Sequence, residues 1–137
     1  MYKMKQNIKQ STIYIKTTGK NTFFSLFNDT LIFKNKKIYI NNTLLKIFSC
    51  GQFNFKGRKK ETPFACSIVA NKSALFLLEL NYSCVHIIFK GLSLYKKIIL
   101  NTLFKTEYKL SKLKILSISD ITQIPHNGCR PKKIKKR

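Results

Sequence analysis

The chain has 137 residues, 44% of them hydrophobic, and its 27 Lys and Arg against five Asp and Glu give a formal net charge of +22. The length accommodates one domain with tails, and the apolar content excludes a wholly disordered basic peptide. A charge this high repels itself, so we expect the compact state to need a polyanion, most commonly nucleic acid. No apolar run approaches the ~18 residues of a spanning helix, and lysines interrupt any signal-peptide core after Met1, so no membrane partner is expected.

The first part of the chain is predicted to be a basic arm followed by three strands. Residues 1–21 are polar and basic with little periodicity, and we expect them to lack fixed structure until bound. From residue 23 the chain is rich in β-branched and aromatic side chains, which predicts strands at 23–27, at 31–33 with 38–40, and at 44–50. Asn28-Asp29-Thr30 and Asn41-Asn42 have turn composition, and a shorter hairpin that turns at Lys34 to Lys37 is the competing register.

Two helices and two further strands are predicted after this region. Thr62 can cap a helix that begins at Pro63. Its apolar stripe is expected at Phe64, Ile68, Val69, Leu75, Phe76 and Leu80. A strand at 85–89 ends at Lys90-Gly91, and a last strand covers 113–119. Between them a helix is expected at 95–108, with Ile98, Ile99, Thr102 and Leu103 facing inward. The order is β-β-β-α-β-α-β, an α/β sheet flanked by helices.

The cysteine and histidine residues give no pattern of a metal or catalytic site. Cys50, Cys66, Cys84 and Cys129 contain no Cys-x-x-Cys pair, so we expect free thiols, mostly buried, in a reducing compartment. His126 has no neighbouring Asp, Glu or Cys pattern and is expected to pack or to hydrogen-bond RNA, and His86 is interpreted as a strand residue. We therefore expect no catalytic residue, no metal and no cofactor.

A basic loop precedes the first predicted helix. Lys56, Arg58, Lys59 and Lys60 surround Gly57, directly before a helix N-terminus whose free amides and dipole favour a phosphate. Phe53 or Phe55 can stack on a base. The alternative is a solvated basic loop above two core phenylalanines.

The C-terminal segment combines a stiff turn with a basic run. Pro125 and Pro131 restrict the backbone and Asn127-Gly128 favours a tight turn, which orients His126, Cys129 and Arg130. The basic residues that follow can neutralise phosphates and release counterions; they are Lys132, Lys133, Lys135, Lys136 and Arg137. A merely solvated charged tail is the alternative.

Both basic segments resemble one family. The octapeptide Ile124 to Pro131 resembles, residue for residue, the C-terminal motif of small-subunit ribosomal protein eleven. The loop resembles that family's Phe-basic-Gly-x-Arg-Lys-x-Thr-Pro-Phe-Ala run, with Arg58 in place of a small residue and Lys59 in place of the usual Arg. Asn28-Asp29-Thr30 is matched to its Asn-Asn-Thr. After Lys90-Gly91 the family's Gly-Pro repeat is missing here, and Lys96 and Lys97 are expected to keep the electrostatic part of that contact.

The resemblance implies a fold and a role. The fold is a ribonuclease-H-like mixed five-stranded sheet between helices. The role is that of a structural constituent of the small ribosomal subunit, bound to its rRNA on the platform near the mRNA exit path and the E-site region. Neighbouring platform proteins are the implied partners, with mRNA nearby, no small-molecule substrate and no homo-oligomer. A generic basic RNA-binding protein outside the ribosome is the alternative. A nuclease is not expected, because two-metal cleavage needs converging carboxylates and the five acids are scattered.

The resemblance and the charge pattern together predict how the chain is divided and which residues contact RNA. We expect a basic arm at 1–21, a single RNA-binding domain at 22–120 and an RNA-binding tail at 121–137. The residues expected to contact RNA are Asn28, Thr30, Lys56, Gly57, Arg58, Lys59, Lys60, Lys96, Lys97, His126, Asn127, Gly128, Arg130, Pro131, Lys132, Lys133, Lys135, Lys136 and Arg137.

The balance among basic residues bears on localisation. Arginine occurs only at Arg58, Arg130 and Arg137, so lysine supplies nearly all of the positive charge, and Asn, Ile, Phe and Tyr also abound. This composition is typical of an AT-rich coding sequence and predicts a mitochondrial ribosome, with a plastid ribosome or a bacterial cytoplasm as alternatives.

Overall fold

The computed structural model describes residues 9–34, 37–92 and 94–134, with the side chains of all of these except 31–34 and 37–39. The strands and helices are, in chain order, β1 (Gln10–Thr18), β2 (Asn21–Lys34), β3 (Lys37–Ser49), α1 (Pro63–Glu79), β4 (Cys84–Lys90), α2 (Lys96–Lys105), β5 (Glu107–Tyr108), β6 (Ser111–Lys112) and β7 (Lys114–Asp120). Single turns of 3₁₀ helix at Cys50–Phe53 and Gly57–Glu61 join β3 to α1.

The main sheet is five-stranded and mixed, as predicted. Its order is β3-β2-β1-β4-β7, and β5 pairs separately with β6. β2 is antiparallel to both β1 and β3, whereas β4 is parallel to both β1 and β7. Apart from the small β5–β6 hairpin, the order of elements is the predicted β-β-β-α-β-α-β, but the three strands predicted before α1 all fall within β2 and β3, and β1 lies in the predicted arm.

The core lies between one face of this sheet and the two helices. Right-handed crossovers from β3 to β4 and from β4 to β7 progress in the same direction, which puts α1 and α2 on the same side. The sheet side chains in this core alternate along their strands and include Ile13, Ile15, Phe24, Leu26, Val85, Ile87 and Phe89. They pack against Val69, Ala70, Ala74 and Leu77 of α1 and against Ile99 and Leu103 of α2. The opposite sheet face carries no helix among the described elements.

The prediction of an unstructured arm at 1–21 is wrong for Gln10–Thr18, which forms β1 at the centre of the sheet. Ser11, Ile13, Ile15 and Thr17 alternate toward the helices and are buried, but only two of the four are apolar. Because polar residues occupy half of the buried positions, the two-residue period is weak in the sequence. Residues 1–8 lie outside the described part of the chain.

The turns predicted at 28–30 and at 41–42 are also wrong. Asn28 pairs with Thr43, and Thr30 pairs with Asn41, inside one long hairpin of β2 and β3. The competing register is confirmed, because Lys34 pairs with Lys37 at its end. The Thr30 hydroxyl donates to the Asn41 carbonyl at 3.1 Å, so polar side chains here hydrogen-bond within the hairpin and do not end the strands.

The first helix begins as predicted, but it buries a different face. Thr62 is the N-cap of α1, and of the predicted stripe only Val69 is fully buried. Phe64 is 66% exposed and Leu80 is 39% exposed, whereas Ala65, Ala70, Ser73 and Ala74 face the sheet. Small residues let the helix lie close to the strands, and the large apolar side chains on its buried face are Val69, Leu77 and Leu78, of which only Val69 was in the predicted stripe.

The second helix is shorter than the predicted 95–108. It covers Lys96–Lys105, and Tyr108 belongs to β5. Ile99 and Leu103 are buried as predicted, but Ile98 is 37% exposed and Thr102 is only partly buried. Cys50, Cys66 and Cys84 are buried free thiols, and Cys129 is free and exposed.

Candidate nucleic-acid interface

Four chain segments, three of which carry predicted basic residues, meet at one end of the sheet. β1, β3, β4 and β7 run in the same direction, so their carboxyl ends share one edge. The segments that leave these ends are the turn at Gly19-Lys20 and residues 50–62, 91–97 and 121–134. We call these four segments together the basic edge. In open sheets with parallel strands, ligands bind outside the carboxyl ends of the strands.

The basic loop is held in place by the cap of α1. The Thr62 hydroxyl accepts a hydrogen bond from the Ala65 amide at 3.3 Å and donates to the Lys59 carbonyl at 2.9 Å. The Lys59 amide donates in turn to the Lys56 carbonyl at 3.2 Å. These bonds tie the 3₁₀ turn Gly57–Glu61 to the helix N-terminus. Lys56, Arg58 and Lys59 are consequently exposed at the positive end of the helix dipole.

Gly57 and Lys60 have different places in this loop. Gly57 has a φ of +53°, which L side chains rarely adopt, and a Cβ at this position would meet no atom within 4 Å. Glycine is therefore needed at this position for its backbone conformation, and the space beside it is open to a ligand. Lys60 is half-buried, and its Nζ would lie 3.7 Å from a Cβ on Gly51. Lys60 thus lies across the preceding turn and is less available than its three neighbours.

The loop phenylalanines belong to the protein core. Phe53 stacks on Phe48 with ring centroids 6.2 Å apart, and Phe55 meets Phe64 edge-on at 6.3 Å. Both loop rings are partly buried and pack against the core. This arrangement favours the alternative of a basic loop above core phenylalanines, and the exposed aromatic ring at this end of α1 is Phe64.

The loop after β4 is joined to the start of the C-terminal segment. Gly91 has a φ of +110°, and a Cβ there would lie 2.0 Å from the Thr17 carbonyl oxygen, so only glycine fits against β1. The Gly91 amide donates to the Thr122 hydroxyl at 3.0 Å, and the Ile121 amide donates to the Phe89 carbonyl at 2.9 Å. The C-terminal segment therefore leaves the sheet from a fixed position.

Lys96 and Lys97 differ in their surroundings. The Lys96 ammonium donates to Asp120 Oδ2 at 2.5 Å, whereas Lys97 is exposed. The Lys96 hydrogen bond, followed by those from Thr122, lowers the pKa of Asp120 to about 2. Lys96 thus fixes the end of β7 to α2, and Lys97 is the freer of the two cations. Two lysines in the first turn of α2 oppose its dipole, an arrangement that an incoming phosphate would relieve.

The C-terminal segment projects from the domain. Residues 123–134 are all exposed, and they include His126, Asn127, Gly128, Arg130, Pro131, Lys132 and Lys133. Asn127 has a φ of +60°, and a Cβ on Gly128 would lie 3.2 Å from Pro125 Cβ, so the predicted tight turn is present. Lys135, Lys136 and Arg137 lie outside the described residues.

Asn28 and Thr30 do not join the other predicted contact residues. Phe23 pairs with Ser49 beside the basic edge, and Thr30 lies seven residues farther along β2. At about 3.3 Å per residue this places Thr30 roughly 23 Å away. Both residues are in the part of the hairpin that points away from the basic edge.

Sequence reasoning missed three lysines and one turn. Lys16 pairs directly with Lys90 across the parallel strands β1 and β4, and like charges at such positions repel unless an anion is present. Both line a cavity of about 330 Å³ with Gly19, Gly91 and Thr122. Lys20 lies in the β1–β2 turn, where the Asn21 amide donates to the Thr18 hydroxyl at 3.1 Å. The sequence does not predict that these lysines lie together, because their proximity depends on β1, and residues 10–18 do not have the pattern of a strand.

Other kinds of site find no support in the described residues. Across residues 9–34, 37–92 and 94–134, no three His, Cys, Asp or Glu side chains lie together as a metal site would require. No helix in this part of the chain is long and apolar enough to cross a bilayer.

Comparisons with known proteins agree with the geometry. The family model for ribosomal protein S11 matches residues 19–137. Small ribosomal subunit protein uS11 of Carsonella ruddii (strain PV) is 37% identical over 130 residues, which cover 95% of this chain and 97% of the relative. The protein of the same name in Borreliella burgdorferi (strain ZS7) is 33% identical over 134 residues, 98% of this chain and 91% of the relative. Small ribosomal subunit protein uS11c of Phaeodactylum tricornutum (strain CCAP 1055/1) is 30% identical over 131 residues, which cover 96% of this chain and 88% of the relative.

Proposed function

The chain belongs to the ribosomal protein S11 family, and we propose that its basic edge binds small-subunit rRNA on the platform, near the mRNA exit path and the E-site region. The family makes it a structural constituent of the small ribosomal subunit with no enzymatic role. The observation that carries the proposed contact is the convergence of the basic loop, the lysine-bearing strand ends and the projecting C-terminal segment at one edge of the sheet.

The contact works by positioning and charge neutralisation. Lys56, Arg58 and Lys59 offer cations at the positive end of the α1 dipole, which favours a phosphate. The amides of Ala65 and Cys66 already donate to Thr62, so the contact depends on charge and dipole more than on helix amides. Lysine lacks the planar fork of arginine, so Lys59 contributes a point charge where the family has a bidentate group. Such contacts fix the register on the RNA without reading its sequence.

The C-terminal segment extends the contact beyond the domain. Its turn directs Arg130 and the lysines after Pro131 away from the sheet, and every described residue after Thr122 is exposed. The segment leaves from a point fixed by Thr122 and Gly91, so little freedom remains at its base. We infer that it follows an rRNA groove, with counterion release as the main source of affinity.

Lys16, Lys20 and Lys90 enlarge the proposed surface. The cavity between the strand ends is lined by Lys16 and Lys90 and is bordered by the turn that contains Lys20. The triplet Lys20-Asn21-Thr22 fits the family's Asn-Asn-Thr at two of three positions. It lies at the basic edge, in contrast to Asn28-Asp29-Thr30. We propose that Asn28 and Thr30 do not contact the same RNA helix as the basic loop.

The finer assignment of location and partners is also a proposal. Ribosomal relatives in bacteria and in a plastid support the ribosome as the location. We propose a mitochondrial ribosome because lysine supplies nearly all the positive charge, as in AT-rich coding sequences. Neighbouring platform proteins would flank the site, with mRNA close by. A generic basic RNA-binding role outside the ribosome is the competing function.

Sedimentation separates the two functions. Mitochondrial lysate is run on a gradient at low and at high salt, and each fraction is probed for this chain. We expect the chain to co-migrate with the small subunit in both gradients. Its absence from that fraction at low salt, or its removal at high salt, would favour the generic role. Co-migration with plastid or bacterial subunits, and not mitochondrial ones, would correct the location alone.

A further inference from the structure

The sheet face opposite the helices has a composition unlike the rest of this chain. This open face carries Thr12, Tyr14, Phe27, His86 and Ile88, which point away from α1 and α2. A cavity of about 300 Å³ lies on it. Ten residues line this cavity and none of them is lysine or arginine, although the chain has 27 of these. This cavity is therefore a poor match for a phosphate backbone, which requires cations, in contrast to the end of the same face where Lys16 pairs with Lys90 beside the basic edge.

The one charged group in this cavity is a carboxylate with incomplete hydrogen bonding. Asp29 Oδ2 accepts from the Thr12 hydroxyl at 2.5 Å. Asp29 Oδ1 is buried and has no hydrogen-bond donor among the described residues. A buried acceptor without a donor costs free energy, so the site favours a ligand that supplies one.

The surroundings of Asp29 suit a cationic side chain. The Tyr14 ring, held edge-on to Phe27 at 5.2 Å, offers an aromatic surface on which a guanidinium can stack. His86 is already bonded to the Ser117 hydroxyl at 2.7 Å, which leaves Asp29 as the strongest acceptor in the cavity. Ile40 and Leu44 on β3 are 68% and 52% exposed and add apolar area beside it.

We propose that the open face binds an arginine- or lysine-bearing segment of a neighbouring small-subunit protein, with Asp29 as the anchor for its cation. This inference rests on the proposed function, because only within the subunit does rRNA neutralise the charge that would repel such a segment. A second copy of this chain is a poor occupant, since two copies at +22 repel each other. The basic edge and the open face then bind partners of opposite charge.

Site-specific crosslinking in assembled small subunits tests the proposal. The full chain carries a benzophenone at Ile40→p-benzoylphenylalanine, on the exposed rim of the cavity and far from the basic edge, or in parallel at Phe64→p-benzoylphenylalanine, beside the basic loop. We expect the Ile40 probe to crosslink to a peptide that contains arginine or lysine, and the Phe64 probe to crosslink to rRNA. Crosslinks from Ile40 to rRNA, or no product, would overturn the docking proposal. Failure of Phe64 to reach rRNA would instead count against the proposed function.

Substitution of one carboxylate identifies the anchor. Asp29→Asn keeps an acceptor for Thr12 and removes the charge, and Glu79→Gln is the matched control because it removes an exposed carboxylate at the far end of α1. In subunits that carry Asp29→Asn, we expect the yield of the Ile40 crosslink to protein to fall by at least roughly tenfold, as for truncation of a desolvated charge pair. Glu79→Gln should leave it unchanged. Equal yields in the two variants would show that Asp29 is not the anchor.

Discussion

At the scale of single residues, the surface depends on a few positions with unusual backbone or hydrogen-bonding demands. Gly57 and Gly91 both have positive φ, but only Gly91 is also restricted by a neighbouring backbone atom. Asp120 receives hydrogen bonds from Lys96 and Thr122 and so joins α2 to the end of β7. These residues contribute geometry, whereas the exposed lysines contribute charge.

Gly57 gives the first prediction. Gly57→Ala should destabilise the folded protein by about 1–2 kcal/mol, because a side chain at a φ of +53° is strained even in open space. Gly57→Asn is the control, since asparagine tolerates this region better. The midpoint of urea unfolding measures the difference. Equal midpoints for the two variants would show that the conformational interpretation of Gly57 is wrong.

Asp120 gives a pH-dependent prediction. Its pKa is about 2 in the folded protein against an ordinary value of 3.8, because Lys96 and then Thr122 hydrogen-bond the ionised form. Since the folded pKa is the lower one, the ionised carboxylate stabilises the fold fully above pH about 4, and this stabilisation disappears as the pH falls toward about 2. NMR titration of the Asp120 carboxyl should give a midpoint near 2 in the native chain. Lys96→Gln should raise that midpoint, and an unchanged midpoint would contradict the assignment.

At the scale of elements, the cap of α1 and the C-terminal segment determine where the charges are presented. The helix begins at the predicted residue, after Thr62 and at Pro63. The Thr62 hydroxyl caps an amide three residues away and Pro63 needs no hydrogen-bond acceptor, so both effects are local and can be recognised in the sequence. The face that α1 buries depends on how closely the helix approaches the sheet. Small residues such as Ala70 and Ala74 permit that approach, and a hydrophobicity pattern does not identify them.

The cap gives the next prediction. Thr62→Ala should cost about 1 kcal/mol of stability, because the Ala65 amide loses its acceptor and the Lys59 carbonyl keeps only the weaker bond from the residue 62 amide. It should also loosen the basic loop and weaken binding to an rRNA fragment. Thr62→Ser, which retains the hydroxyl, should behave like the native chain in chemical denaturation and in binding. A serine variant as impaired as the alanine variant would exclude the hydroxyl as the cause.

The basic run at the C-terminus gives a prediction about salt dependence. Removal of residues 132–137 should lower rRNA affinity and flatten the plot of log affinity against log salt by up to ~0.7–0.9 units for each phosphate that the protein no longer neutralises. Lys105→Gln with Lys109→Gln is the control, because Lys105 ends α2 and Lys109 follows it, at the end of the domain away from the basic edge. Filter binding over a salt series measures both slopes. If the control flattens the slope as much as the deletion does, the tail has no special role.

At the scale of the whole molecule, the sequence predicted the local motifs of the candidate interface better than it predicted the strands of the sheet. The loop with Gly57 and the octapeptide from Ile124 are local patterns, and the structure brings both to the same end of the domain. The long hairpin and the central strand β1 depend on pairing between distant residues, such as Ile13 with Leu26 and with Ile87. Polar residues can lie inside paired strands, because the pairing is made by backbone hydrogen bonds. The polar composition around Asn28 and Thr30 therefore predicts a turn where the structure has a strand. Lys16 and Lys90 were missed for the same reason.

Ultraviolet crosslinking of unmodified small subunits, with mass-spectrometric mapping of the RNA-bound peptides, tests the central claim most directly. We expect crosslinked peptides from this chain to fall within the basic edge, at the Gly19-Lys20 turn and at residues 50–62, 91–97 and 121–134. Few or none should come from the far part of the β2–β3 hairpin around Asn28 and Thr30. Crosslinks concentrated on that hairpin or on the open face, with none in the basic edge, would contradict the account.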